Sequence, residues 1–171
     1  MQLRPAGSAD LPAIQAIYAH HVLYGLASFE EVPPPLDELQ RRYGERVRRG
    51  LPWLVADLAG TLAGYGYCSP YHSRSGYRYT LEDSIYVRQD AHGKGVGSAI
   101  LRELIVRCEL LGYRQLVAVI GDTANAASIK LHARHGFLRA GLLRSVGFKF
   151  GRWVDSVVMQ RPLGPGDASP P

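Results

Sequence analysis

At 171 residues the chain suits a single domain, one large enough to bury about 70% of the surface its unfolded form exposes. Hydrophobic residues make up 46% and charged residues 20%, which excludes a disordered chain, and no apolar run reaches the ~20 residues of a membrane-spanning helix. The net charge of +5 (20 Lys and Arg against 15 Asp and Glu) would suit nucleic acid, but the basic residues are scattered. Their one cluster, Arg41, Arg42, Arg46, Arg48 and Arg49, falls on an amphipathic helix and reads as a solvated face. Neither nucleic acid nor a membrane is an expected partner.

Taken in order, Gln2-Leu3-Arg4 reads as a first strand closed by Pro5 and Gly7. Ser8 is expected to cap a helix with Leu11, Ile14, Ile17, Tyr18 and Val22 on one face. His20 and His21 near its end read as surface or cap residues. After a loop carrying Phe29 and three prolines, a second helix is predicted over 36–49, with Leu36, Leu39, Tyr43 and Val47 inward. Trp53–Asp57 and Leu62–Tyr67 form a hairpin about Ala59-Gly60. A polar loop, SPYHSRSGYR, precedes a strand over 79–87, and a long helix follows from Val96 to a stop at Gly112. Gln115–Ile120 is a short apolar strand, 125–135 a helix, and 137–146 with 153–163 a closing antiparallel pair. Residues 1–163 are read as one domain and the GPGDASPP tail, 164–171, as disordered. The order β-α-α-β-β-β-α-β-α-β-β calls for an α+β fold: a mixed, mostly antiparallel central sheet flanked by helices.

Cys68 and Cys108 have no metal-type spacing and read as buried free thiols. A reducing, cytoplasmic compartment is expected, the N-terminus lacks the apolar core of a signal peptide, and no metal is expected.

The sharpest signal is the turn His92-Gly93-Lys94-Gly95-Val96-Gly97-Ser98 between strand and helix. Glycines bring backbone close to a ligand, and the first amides of a helix lack internal partners, so the turn suits phosphate or pyrophosphate. A tight strand-to-helix turn is the plainer alternative. A Walker loop is excluded because Arg88 and Gly95 occupy its glycine and Ser/Thr positions, and Ser98 breaks a dinucleotide fingerprint.

The turn resembles the coenzyme A pyrophosphate loop of the GCN5-related N-acetyltransferases (GNAT), Arg/Gln-x-x-Gly-x-Gly/Ala, with His92 at the first position. TLEDSIYV, VAVIGDTANAASIKLHARHGF and GFKFGRWVD are similar in order and spacing to the phosphinothricin and methionine sulfoximine N-acetyltransferase subgroup. The resemblance implies acetyl-CoA as co-substrate, held by the turn, by the backbone of Ile85, Tyr86 and Val87, and by Asn125 and Ser128. It implies Glu82 as general base and His132 as the acid that protonates the thiolate. Each also has an ordinary reading: a strand glutamate, a helix cap at Asn125, a packed helical histidine. Asp83 faces away from Glu82 by strand alternation.

For the acceptor, Phe29, His72, Ser73, Arg74, Tyr77, Glu82 and Tyr86 are candidates, with Arg74 the preferred clamp for a carboxylate. The reading is transfer of acetyl to the α-amine of a small amino acid or analogue, such as phosphinothricin, methionine sulfoximine or methionine-like amino acids, by a homodimer. Acetylation of a peptide N-terminus or a polyamine, and a non-catalytic coenzyme A-binding module, are the alternatives.

Overall fold

The computed structural model describes residues 1–171. Eleven elements follow one another: β1 (Gln2–Pro5), α1 (Leu11–Tyr24), α2 (Leu36–Arg48), β2 (Trp53–Leu58), β3 (Thr61–Pro70), β4 (Thr80–Val87), α3 (Val96–Leu110), β5 (Gln115–Gly121), α4 (Ala126–Arg134), β6 (Leu138–Lys149) and β7 (Arg152–Pro162). The expected order holds throughout. All seven strands form one sheet in the order β1-β2-β3-β4-β5-β7-β6. Only β4 and β5 run parallel, since α3 must carry the chain back across the sheet to join them.

The sheet separates two apolar clusters. On one face, α3 packs on β2–β5 and β7 through Ile100, Leu101, Leu104, Leu116, Val157 and their neighbours. Gly66 permits this approach: a Cβ there would lie 2.6 Å from the Ile100 side chain. On the other face, α1 buries Leu11, Ile14, Ile17, Tyr18 and Val22 against Trp53, Val55, Tyr65 and Tyr86. These five positions are those predicted from periodicity.

Local details differ from the sequence reading. Ser8 does not cap α1; the Asp10 carboxylate accepts the Gly7 amide at 2.7 Å and a bidentate pair from Arg4 at 2.7 and 2.8 Å. A carboxylate suits the positive end of a helix better than a hydroxyl. Val47 is exposed because the cluster under α2 ends at Tyr43, whose hydroxyl donates to the Ala6 carbonyl. Residues 164–171 run as turns, and Arg114 donates to the carbonyls of Gly166 and Pro170. Cys68 and Cys108 are fully buried free thiols with their sulfurs 3.5 Å apart. No helix is long and apolar enough to cross a membrane.

Candidate active site

The site grows from one irregularity in the sheet. β4 and β5 pair only through Thr80–Gln115, Leu81–Leu116 and Glu82–Val117. Beyond Glu82 the two strands part, while β3 stays on one side of β4 and β7 on the other side of β5. A cavity of about 520 Å³ occupies the gap, lined by β4, the α3 N-terminus, β5 and α4.

Antiparallel alternation decides which backbone groups face it. The Arg88 amide donates to the Ala63 carbonyl, so with the β3–β4 register even-numbered residues of β4 turn their amides and carbonyls to β3. Ile85 and Val87 therefore present theirs to the gap. Tyr86 does not: its backbone belongs to the β3 ladder, and its buried ring packs against Tyr18 and Tyr65. The Val87 carbonyl accepts two imidazole Nε2–H groups, from His21 at 2.9 Å and His92 at 3.1 Å. His21 is thus a cavity residue rather than a surface residue, and burial pulls its pKa below the usual histidine value.

At the far end, Gly93 and Gly95 sit in the left-handed region (φ 75° and 78°), and a Cβ on either would meet no protein atom. The amides of Gly93, Gly95, Val96, Gly97 and Ser98 find no acceptor in the chain. Unpaired amides at the positive end of a 15-residue helix, with open space before them, fit a pyrophosphate. Lys94 is exposed and does not line the cavity. Lys130 and Arg134, one turn apart on α4, do, two cations of that helix the sequence reading did not name. His92 bends back to the Val87 carbonyl, closing the loop on itself.

Asn125 caps α4, its Oδ1 accepting the Ser128 amide at 3.2 Å. From α4, the His132 ring reaches β4: Nε2 lies 3.0 Å from Asp83 Oδ2, and Nδ1 donates to the Ser128 carbonyl at 2.8 Å. Both side chains are almost fully buried, at 5% and 1% exposure, and both line the cavity.

Glu82 occupies the last rung before the strands part. Its side chain projects from the face opposite Asp83, as alternation requires, and is not among the residues lining the cavity. Burial, with the neighbouring Asp83 charge, raises its pKa to about 6.

The acceptor candidates are less closely gathered. Phe29 packs over Gly147, where a Cβ would lie 2.5 Å from its ring, and beside Gly121. His72, Ser73, Arg74 and Tyr77 stand in the exposed loop between β3 and β4, away from the cavity, with the His72 ring against Tyr71 and Tyr77. His72 and Ser73 instead border a separate depression with Glu45, Arg46 and Arg49. The loop enters β4 at Thr80, two residues before Glu82. No group of three or more His, Cys, Asp or Glu side chains is arranged to hold a metal ion.

The family model for "Acetyltransferase (GNAT) family" matches residues 14–137. A phosphinothricin N-acetyltransferase of Alcaligenes faecalis is 57% identical over 162 residues, covering 95% of this chain and 82% of that protein. An L-methionine sulfoximine/L-methionine sulfone acetyltransferase of Pseudomonas paraeruginosa is 44% identical, covering 98% of each chain. Among solved structures, a phosphinothricin acetyltransferase of Sinorhizobium meliloti in complex with acetyl-CoA superposes with a TM-score of 0.96 at 47% identity, covering 99% of this chain and 92% of that one. By sequence, by sheet topology and by the strand gap beneath a glycine-rich helix start, the chain belongs to the acetyltransferase (GNAT) family.

Proposed function

We propose that the protein is an acetyl-CoA-dependent N-acetyltransferase acting on the α-amine of a small amino acid or analogue, of the phosphinothricin and methionine sulfoximine type. The observation that carries this is the gap itself, with Glu82 at its closed end and unpaired helix amides at its open end. Four residues of β4 lie between Glu82 and Val87, about 16 Å of extended chain.

Acetyl-CoA supplies an acetyl thioester. The amides of Gly93 and of residues 95–98, with Lys130 and Arg134, hold its pyrophosphate, and the Ile85 and Val87 edge pairs with its pantetheine amides. The Val87 amide donates to the thioester oxygen as charge develops there, a contribution of about 3 kcal/mol for one such donor. Glu82 takes a proton from the acceptor's ammonium group, directly or through water; a pKa near 6 leaves it ionised yet basic at neutral pH. Arg74, exposed and free of carboxylate partners, is the proposed clamp for the acceptor's carboxylate. A basic rim disfavours a polyamine, which carries the same charge. The exposed Phe148, Phe150 and Trp153 on β6–β7 support a homodimer, which sedimentation equilibrium measures.

A panel of free amino acids, phosphinothricin and methionine sulfoximine, assayed by thiol release from acetyl-CoA, tests the proposal. Acceptor-dependent release with the two analogues is expected. Release with none of the panel above background hydrolysis would overturn it.

A further inference from the structure

The Asp83–His132 pair was not foreseen, since strand alternation alone says only that Asp83 leaves the face of Glu82. The fold then gives it a partner 49 residues away. We infer that Asp83 is a positioning residue for the proposed transfer: with the Ser128 carbonyl it holds the His132 ring with a proton on both nitrogens, as a cation in the cavity wall. This inference rests on the functional reading above.

The hydrogen-bond arithmetic is restrictive. A carbonyl oxygen only accepts, so Nδ1 carries a proton. The Nε2···Oδ2 contact needs one further proton, which the inference places on Nε2 opposite an ionised Asp83. A neutral imidazole has a single N–H and cannot donate to both the Ser128 carbonyl and an ionised carboxylate. Burial alone pulls the ring's pKa down, yet the Asp83 hydrogen bond and charge, with the Ser128 carbonyl, outweigh it, and the net direction is up. The surroundings offer no competing carboxylate on that face. Glu82 projects from the other side of β4. Cys68 of β3 and Cys108 of α3 are buried nearby thiols, and His135, Lys130 and Arg134 of the α4 region are basic. Phe137 closes the ring edge-to-face at 5.0 Å.

Asp83 also leaves Oδ1 buried without a partner. A carboxylate half-satisfied by protein and bordering a cavity is costly unless its charge is balanced, and the imidazolium balances it. Together they form a neutral pair whose positive member stands in the wall where a coenzyme thiolate would be released. The pair also ties α4, which carries Lys130 and Arg134, to β4 across the gap.

Asp83→Asn tests this with little change of volume. Its amide can donate to Nε2 while Nδ1–H keeps the Ser128 carbonyl, so packing is retained with a neutral ring. ¹⁵N-histidine NMR of the unliganded protein at pH 7 should show both His132 nitrogens protonated in the wild type and one in Asp83→Asn. With a responsive acceptor, kcat should fall at least tenfold while KM for acetyl-CoA changes less than threefold. In a His132→Gln background the same substitution should add nothing. A neutral His132 in the wild type, or an Asp83→Asn variant with unchanged kcat, would overturn the inference. A cationic ring in a protein without acetyl transfer would uphold the assignment of its charge and overturn the functional reading instead.

Discussion

Lys149 Nζ donates to the Ser28 carbonyl at 2.7 Å and to the Gly25 carbonyl at 2.9 Å, joining β6 to a loop more than a hundred residues earlier. The lysine is fully buried, and burial pulls its pKa below the ordinary lysine value despite the opposing charges of Glu31 and Glu30. The same loop carries Phe29 over Gly147 and presses the Leu26 carbonyl against Gly121, where any Cβ would collide with it. Lys149 is thus a clamp on the Phe29 loop.

Lys149→Met keeps an unbranched side chain only one atom shorter and removes both bonds. Two carbonyls lose their donors, so stability should fall by about 3 kcal/mol. Urea unfolding measures that loss. If the loop shapes the acceptor site, KM for the amino acid should rise at least fivefold while KM for acetyl-CoA stays within twofold.

Glu82→Gln should separate activity from stability. The native carboxyl titrates at about 6 against an ordinary 4.5, so the folded state binds the proton more tightly than the unfolded chain. Its favourable contribution is complete below pH 4.5 and is lost as pH rises through 6. At pH 7 the ionised group costs about 2 kcal/mol. Gln, neutral at every pH, should therefore raise the unfolding midpoint at pH 7 while lowering kcat at least a hundredfold. In the wild type kcat should fall below pH 6, and that limb should vanish in the variant. Destabilisation with unchanged turnover would remove Glu82 from the mechanism.

Gly95→Ala and Gly112→Ala form a matched pair. Both glycines have left-handed φ (78° and 82°), and a Cβ on either meets no protein atom. Each substitution should cost about 1–2 kcal/mol of stability through backbone strain. Only Gly95 faces the cavity, so only its variant should raise KM for acetyl-CoA, by tenfold or more. Equal effects on KM would show that the glycine-rich turn serves the fold alone.

Much of this molecule was legible in the chain because the relevant physics is local. The apolar period of α1, the hairpin turn at Ala59-Gly60 and the glycines before α3 act over a few residues, and each element formed where its pattern stood. The place of Glu82 on the strand entering such a turn was legible too, whereas its role as a base came only from the family resemblance. Val47 was misread because its setting depends on neighbours that only packing brings.

What the amino-acid order determined by itself was the succession of elements, the face each buries and the glycine-rich turn before α3, all consequences of backbone sterics and side-chain periodicity. What tertiary structure alone decided was which distant groups meet: His21 on the Val87 carbonyl, His132 on Asp83, Lys149 on Ser28. Those meetings require the sheet to close sequence gaps of up to 121 residues, and there burial moves the pKa of Lys149 down while the Asp83 bond takes that of His132 up. No period or spacing along the chain encodes that, because burial and partners come into being only when the strands assemble.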